Sequence, residues 1–124
     1  MAAIIINIGS CARGFREPSV IMDGNELTIL SPYGVTLAKG DIKTVRLLNE
    51  IPPLIRRGGF GVLNTQKGKV KVSNLGEGLA YVKVPNPPYI YIELTVGGGN
   101  YVFINLHDAD DTLEMYENIQ VWLD

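Results

Sequence analysis

The sequence predicts a mostly β fold, with about seven antiparallel strands in a strongly bent sheet or partly open barrel, capped by one C-terminal α-helix. Three observations carry this. Residues 90, 92, 94 and 96 are Ile, Ile, Leu and Val while 89, 91, 93 and 95 are Tyr, Tyr, Glu and Thr, the period of two that turns one side of a strand to the core. Gly97, Gly98, Gly99 and Asn100 interrupt that pattern, and Val102, Ile104 and Leu106 resume it against Tyr101, Phe103 and Asn105, so the two runs form a hairpin. From Asp108 the apolar spacing becomes helical: Leu113, Met115, Tyr116, Ile119, Trp122 and Leu123 share one arc, opposite Asp110, Glu114, Glu117 and Asn118.

Taken in chain order, Ala2 to Ile8 is an apolar run that suits an extra N-terminal strand or a leader within residues 1–18. It is far shorter than the roughly 20 residues of a membrane-spanning helix, and no Lys or Arg precedes it. Ile8-Gly9-Ser10-Cys11 has the form of a bacterial lipoprotein cleavage site, but without the basic start such leaders carry. Strands follow at Glu26–Leu30, Val35–Ala38, Ile42–Leu48, Lys69–Val72 and Leu79–Val84, ahead of the hairpin. Asp23-Gly24-Asn25, Pro32-Tyr33-Gly34, Lys39-Gly40-Asp41, Asn74 to Gly78 and Pro85-Asn86-Pro87-Pro88 supply the turn chemistry between them. The helix spans 108–123 with Asp108 as its N-cap, and Asp110, Asp111 and Glu114 complement the positive end of its dipole. Burying its apolar arc against the sheet contributes roughly 1.5 to 3 kcal/mol for each large side chain.

A chain of 124 residues with 46% hydrophobic and 19% charged residues is one domain, residues 1–124, of ordinary globular composition. A net charge of −2 gives no general attraction to nucleic acid, so none is expected as a partner. Cys11 is the only cysteine, which precludes an internal disulfide and suits a cytoplasmic setting.

The ordered series Tyr33-Gly34, Asp41-Ile42 ahead of a strand, Arg57, Gly59-Phe60-Gly61, Asn64, Lys67-Gly68, Pro88-Tyr89-Ile90, and Phe103 and Asn105 ahead of the helix spans about residues 26 to 120. It resembles the bacterial pleckstrin-homology (PH) domain-like family. The resemblance implies a PH-like fold and little chemistry. Members of that family commonly stand beside transmembrane helices, for which this sequence offers no apolar run of sufficient length. PH domains that grip phosphoinositides gather basic residues around the first interstrand loop, whereas that loop here is Ser31-Pro32-Tyr33-Gly34.

Charge is polarised along the chain. Residues 39–71 hold Lys39, Lys43, Arg46, Arg56, Arg57, Lys67, Lys69 and Lys71 against Asp41 and Glu50, a net of +6, while residues 72–124 carry −7 and residues 1–38 carry −1. Such poles either steer a charged partner or a second copy head to tail, or simply solvate a strand face and protect its edge. Pro52 to Gly61 sets Arg56 and Arg57 beside glycines, Leu54, Ile55 and Phe60, a combination suited to an anion or a lipid surface. The candidate anion- or partner-binding residues are therefore Arg56, Arg57, Phe60, Lys67, Lys69 and Lys71.

Catalytic chemistry has little support. His107, the only histidine, precedes the helix cap, and no nucleophile motif accompanies it or Cys11. No cofactor or metal is expected; an acidic first helical turn explains Asp108, Asp110 and Asp111 without one. The expected role is a non-catalytic binding or assembly module acting through protein interaction or homo-oligomerisation. The alternative is weak peripheral binding to anionic lipid through the Arg56–Phe60 loop, and a small enzyme is the least favoured class.

Overall fold

Val20 and Met22 alternate with Ser19, Ile21 and Asp23, and after Gly24-Asn25 a second alternation places Leu27 and Ile29 between Glu26, Thr28 and Leu30. Gly24 takes φ 62°, so two residues suffice to reverse the chain, and the apolar sets of both strands land on one face. The computed structural model describes residues 4–6, 18–31, 34–51, 55–56, 60–62, 65–72, 76–95 and 101–124. Among these residues the strands are β1 (Ile4–Ile6), β2 (Ser19–Asp23), β3 (Glu26–Leu30), β4 (Val35–Ala38), β5 (Ile42–Leu48), β6 (Ile55–Arg56), β7 (Phe60–Val62), β8 (Thr65–Val72), β9 (Gly76–Lys83), β10 (Tyr89–Leu94) and β11 (Tyr101–Ile104). A 3-10 turn, Lys39–Asp41, joins β4 to β5, and the single helix α1 spans Ala109–Leu123.

The mostly β fold with one C-terminal helix is as expected, but the strands divide between two sheets and neither closes into a barrel. The first is an antiparallel meander in the order β1-β2-β3-β4. Val20, Met22, Leu27, Ile29 and Leu37 cover its inner face, while Thr28 and Thr36 pair through their hydroxyls, 3.1 Å apart, on the outer one. The second sheet runs β5-β10-β11-β9-β8-β6, with β7 also on β8. The Ile run paired at β1, the strand β2, and the short β6 and β7 raise the count above the expected seven, and β8 begins at Thr65 rather than Lys69.

One pair breaks the antiparallel expectation. β11 lies parallel to β9, with Val102 opposite Leu79 and Ile104 opposite Tyr81. The reason lies in Pro85-Asn86-Pro87-Pro88: prolines cannot donate the hydrogen bonds of a tight hairpin, so the chain crosses the end of β11 before starting β10. The crossing is fastened by buried amide exchange. Asn105 Nδ2 donates to the carbonyls of Lys83 (3.0 Å) and Asn86 (2.9 Å), and Asn105 Oδ1 accepts from Lys83 N–H (3.0 Å). Asn86 Nδ2 answers by donating to the carbonyls of Leu106 (2.8 Å) and His107 (3.0 Å). Asn105 is fully buried and pays no penalty for it, since its amide is satisfied on both sides.

The expected hairpin is present: Ile90 opposes Ile104 and Ile92 opposes Val102. Its Tyr side, expected to face outward, is buried as well. Ile90, Ile92, Val102 and Ile104 join the main core with Tyr81, Val45 and the inner face of the first sheet, whereas Tyr89, Tyr91, Tyr101 and Phe103 form a second cluster with Val70, Val72, Ala80 and Val82. The side chains of that face, from the neighbouring strands β8 to β11, pack against one another, which a one-sided alternation does not reveal. The rings of Tyr91 and Phe103 lie 5.1 Å apart and the Arg46 guanidinium sits 5.1 Å from the Tyr91 ring centroid.

Asp108 caps α1 by accepting from the Asp110 N–H at 2.8 Å, as expected. Partial burial and the like charges of Asp108 and Asp110 push the Asp111 carboxyl above its ordinary range. The buried stripe is Thr112, Met115 and Ile119, flanked by Tyr116, Trp122 and Leu123; Leu113, assigned to that arc from sequence, is 39% exposed because it falls one residue off the stripe's axis. Two side chains of the last turn then fasten both layers. Gln120 Nε2 donates to the Val45 carbonyl of β5 (2.8 Å), and Trp122 Nε1 donates to the Gly24 carbonyl in the β2–β3 turn (2.9 Å), with Lys39 Nζ 5.3 Å from the indole centroid.

Trp122→Phe keeps a ring in place but leaves the Gly24 carbonyl without its donor. The expected loss is about 1 kcal/mol, seen as a drop in Tm of roughly 3–6 °C by calorimetry; an unchanged Tm contradicts the anchoring role. Burial pushes the Tyr81 phenol up to about 12 from an ordinary 10.0. The folded chain thus holds this proton above pH 10 where the unfolded chain loses it, so the associated stability, about 3 kcal/mol, is intact below pH 10 and is lost as pH rises toward 12. Urea midpoints across that window are expected to fall in the wild type and to fall less in Tyr81→Phe.

Candidate functional site

Residues of both sheets line a cleft of about 380 Å3, in the lower range of about 300–1,000 Å3 for ligand pockets. One wall is β4, contributing Val35, Thr36, Leu37 and Ala38, followed by Asp41 of the 3-10 turn. The facing wall is Glu77, Gly78 and Leu79 of β9, with Leu94 and Tyr101 from the adjoining ends of β10 and β11. Successive side chains of a strand point to opposite faces, so four consecutive residues line one cavity only if the cavity runs along the strand's edge. The ladder agrees: among the described residues β4 pairs with β3 alone. A second hollow, lined by Thr28 to Ser31 and Gly34 to Thr36, also reaches Val35 and Thr36.

The opposite wall has a similar property. β11 pairs with β9 only over Leu79–Tyr81, so among the described residues Glu77 and Gly78 have a ladder partner only in β8. Tyr101 sets the floor here. Its ring lies on the Cα of Gly78 so closely that a Cβ there would stand 2.6 Å from three ring atoms, and its hydroxyl donates to the Gly76 carbonyl at 2.7 Å. Gly76 has φ 78°, which presents that carbonyl to the phenol. Burial holds the Tyr101 phenol above its ordinary range, and Glu77 pushes the same way, so it remains a donor.

The 3-10 turn is held from both layers. The Asp41 carbonyl accepts from the Thr95 N–H (2.8 Å) and hydroxyl (3.3 Å) at the end of β10, and Lys39 N–H donates to the Asn25 carbonyl (2.6 Å) in the first sheet. Asp41 is therefore placed by the backbone of both sheets. Asp41, Glu77 and Thr36 are the polar residues among the described ones that line the cleft, beside aliphatic residues, Gly78 and Tyr101.

The residues singled out from sequence lie elsewhere. Arg57 lies outside the described residues, as does Cys11. Arg56 and Phe60 stand opposite Val70 and Lys67 in the backbone ladders that join β6 and β7 to β8. Lys67, Lys69 and Lys71 occupy alternate positions of β8, opposite Tyr81, Leu79 and Glu77 of β9, and Lys71 is exposed. The lysine positions thus form one row with Phe60 beside its first member, while Arg56 takes an intervening position. His107 precedes the helix cap, its carbonyl engaged by Asn86. Among the described residues no three His, Cys, Asp or Glu side chains converge as a metal site, and no helix is long and apolar enough to cross a membrane.

None of the cleft residues was a candidate from sequence. Their one signal is Gly78, since a glycine inside a strand marks a close approach of another group. Comparison of the chain with models of known families, with curated proteins and with solved structures yields no match.

Gly78→Ala drives a methyl group into the Tyr101 ring. Overpacking of this kind costs roughly 1–3 kcal/mol, and the urea midpoint is expected to fall accordingly, with the Tyr101 environment changing in near-ultraviolet circular dichroism. A variant as stable as the wild type contradicts the ring's placement on Gly78.

Proposed function

We propose that this domain is a non-catalytic binding module that acts through protein interaction, taking an extended segment of a partner protein into the cleft as an added strand on β4. The supporting observation is the edge of β4, which among the described residues has no ladder partner but β3, along a largely aliphatic cleft. An extended peptide laid there gains main-chain hydrogen bonds from Val35–Ala38, and its alternate side chains reach the apolar walls. The order of strands followed by a helix supports the PH-like kinship drawn from sequence.

Ala38 and Thr36 are exposed and line the cleft, so a large side chain at either position obstructs the edge without entering the core. Linear peptides selected by phage display on the full chain are expected to bind in fluorescence anisotropy. Ala38→Trp or Thr36→Trp, each checked for an unchanged Tm, is expected to weaken them by about ten-fold or more, the factor that corresponds to about 1.4 kcal/mol. Failure to select any peptide overturns the reading, as does equal binding to both tryptophan variants.

A further inference from the structure

Ser31, at the start of the turn that leads into β4, carries a polar atom that the fold does not use. Its Oγ is buried and has no hydrogen-bond partner among the described residues. Folded chains rarely leave a hydroxyl in that state, because burial removes its water without replacing it. The position is fixed: Gly34 N–H donates to the Ser31 carbonyl at 3.0 Å, and Gly34 lies so closely on the Ile29 carbonyl that a Cβ has no room there. Ser31 also lines the second hollow, whose described lining includes Thr28 and Thr36 and no charged residue. Val35 and Thr36 belong both to this hollow and to the larger cleft, so the two meet on β4. The strand edge thus has an aliphatic end, toward Leu37, Leu79 and Leu94, and an uncharged hydroxyl-bearing end, toward Ser31.

From Gly34 to Ala38 the strand rises about 13 Å, a length that one short extended segment covers. A side chain arriving at Ser31 must offer an acceptor for the hydroxyl proton and a donor for the oxygen, and must bring no charge into a lining that has none to answer it. A carboxamide meets both conditions through its carbonyl and its NH2. We infer that the partner of β4 is an extended segment carrying an Asn or Gln that bonds to Ser31 Oγ, the hydroxyl turned about χ1 into the second hollow, with an aliphatic residue three or four positions along seated in the cleft. Ser31 is then a specificity-determining residue, unpaired in the free chain and paired in the complex. This inference rests on the strand-addition reading above.

An array of random heptapeptides probed with the labelled full chain tests the two separately. Among retained peptides, those with Asn or Gln three or four positions from an aliphatic residue are expected to exceed the same sequences with Leu there by about three- to ten-fold, the range one hydrogen bond allows, and those with Asp to be depleted. Ser31→Ala is expected to bring the amide-to-Leu ratio to about one. The same variant is expected to leave the urea midpoint of the free chain unchanged or raised, because it removes a buried hydroxyl that had no partner to lose. A lowered midpoint means that the hydroxyl is already paired in the free chain, and it overturns this inference. Retention of peptides with no amide preference also overturns it, as does a preference that survives Ser31→Ala; all three leave strand addition standing. Retention of no peptide by the wild type overturns both.

Discussion

The last turn of α1 is the joint on which the arrangement depends. Gln120 reaches the Val45 carbonyl of the second sheet and Trp122 reaches the Gly24 carbonyl of the first, two hydrogen bonds from one helical turn to two separate layers. The main core lies between those layers, with Met115 and Ile119 on the helix packed among residues of both. A four-stranded meander with one apolar face gains stability by covering that face. Here the cover is the second sheet, and the helix is fastened to both. The cleft lies along β4, with residues of both sheets in its lining.

Polar groups inside the fold are placed with the same economy. Asn105 and Asn86 each donate from the side-chain amide to main-chain carbonyls across the passage from β9 to β10, so a segment rich in proline, poor in donors of its own, is held by side chains. Thr112 extends this network into the helix, its hydroxyl accepting from the Leu106 N–H at 2.8 Å. The start of α1 is therefore tied to the end of β11 while its far end is tied to both sheets.

The hairpin, the helix and its Asp108 cap were legible in the sequence because each is written in local spacing: a period of two, three glycines, then a helical period behind an acidic residue. Two kinds of information were not local. Tyr89, Tyr91 and Tyr101 read as an outward face because a phenol is amphipathic, and only the strands on either side bury them. The parallel neighbour of β11 was hidden because Pro85-Asn86-Pro87-Pro88 announces a reversal without naming the strand to which the chain returns. The strand Ser19–Asp23 escaped notice because Ile21 blurs its alternation, although the turn after it was recognised. The cleft was illegible for the same reason as the parallel pair. Residues 35–38, 41, 77–79, 94 and 101 each suit an ordinary strand or turn, and only the meeting of two sheets makes them neighbours.

The position of the hairpin within the second sheet bears on how the chain is made. β10 and β11 occupy the middle of that sheet yet are its last strands to be synthesised, inserted between β5, some forty residues earlier, and β9. A growing chain that has emerged only as far as β9 holds β9 paired to β8 while β5 has no partner in that sheet, and loop closure over such separations is slow relative to local pairing. Unsatisfied edges of that kind are where nascent β proteins adhere to one another. The edge of β9 and the whole of β5 thus wait for the last two strands of the chain before the sheet has a centre.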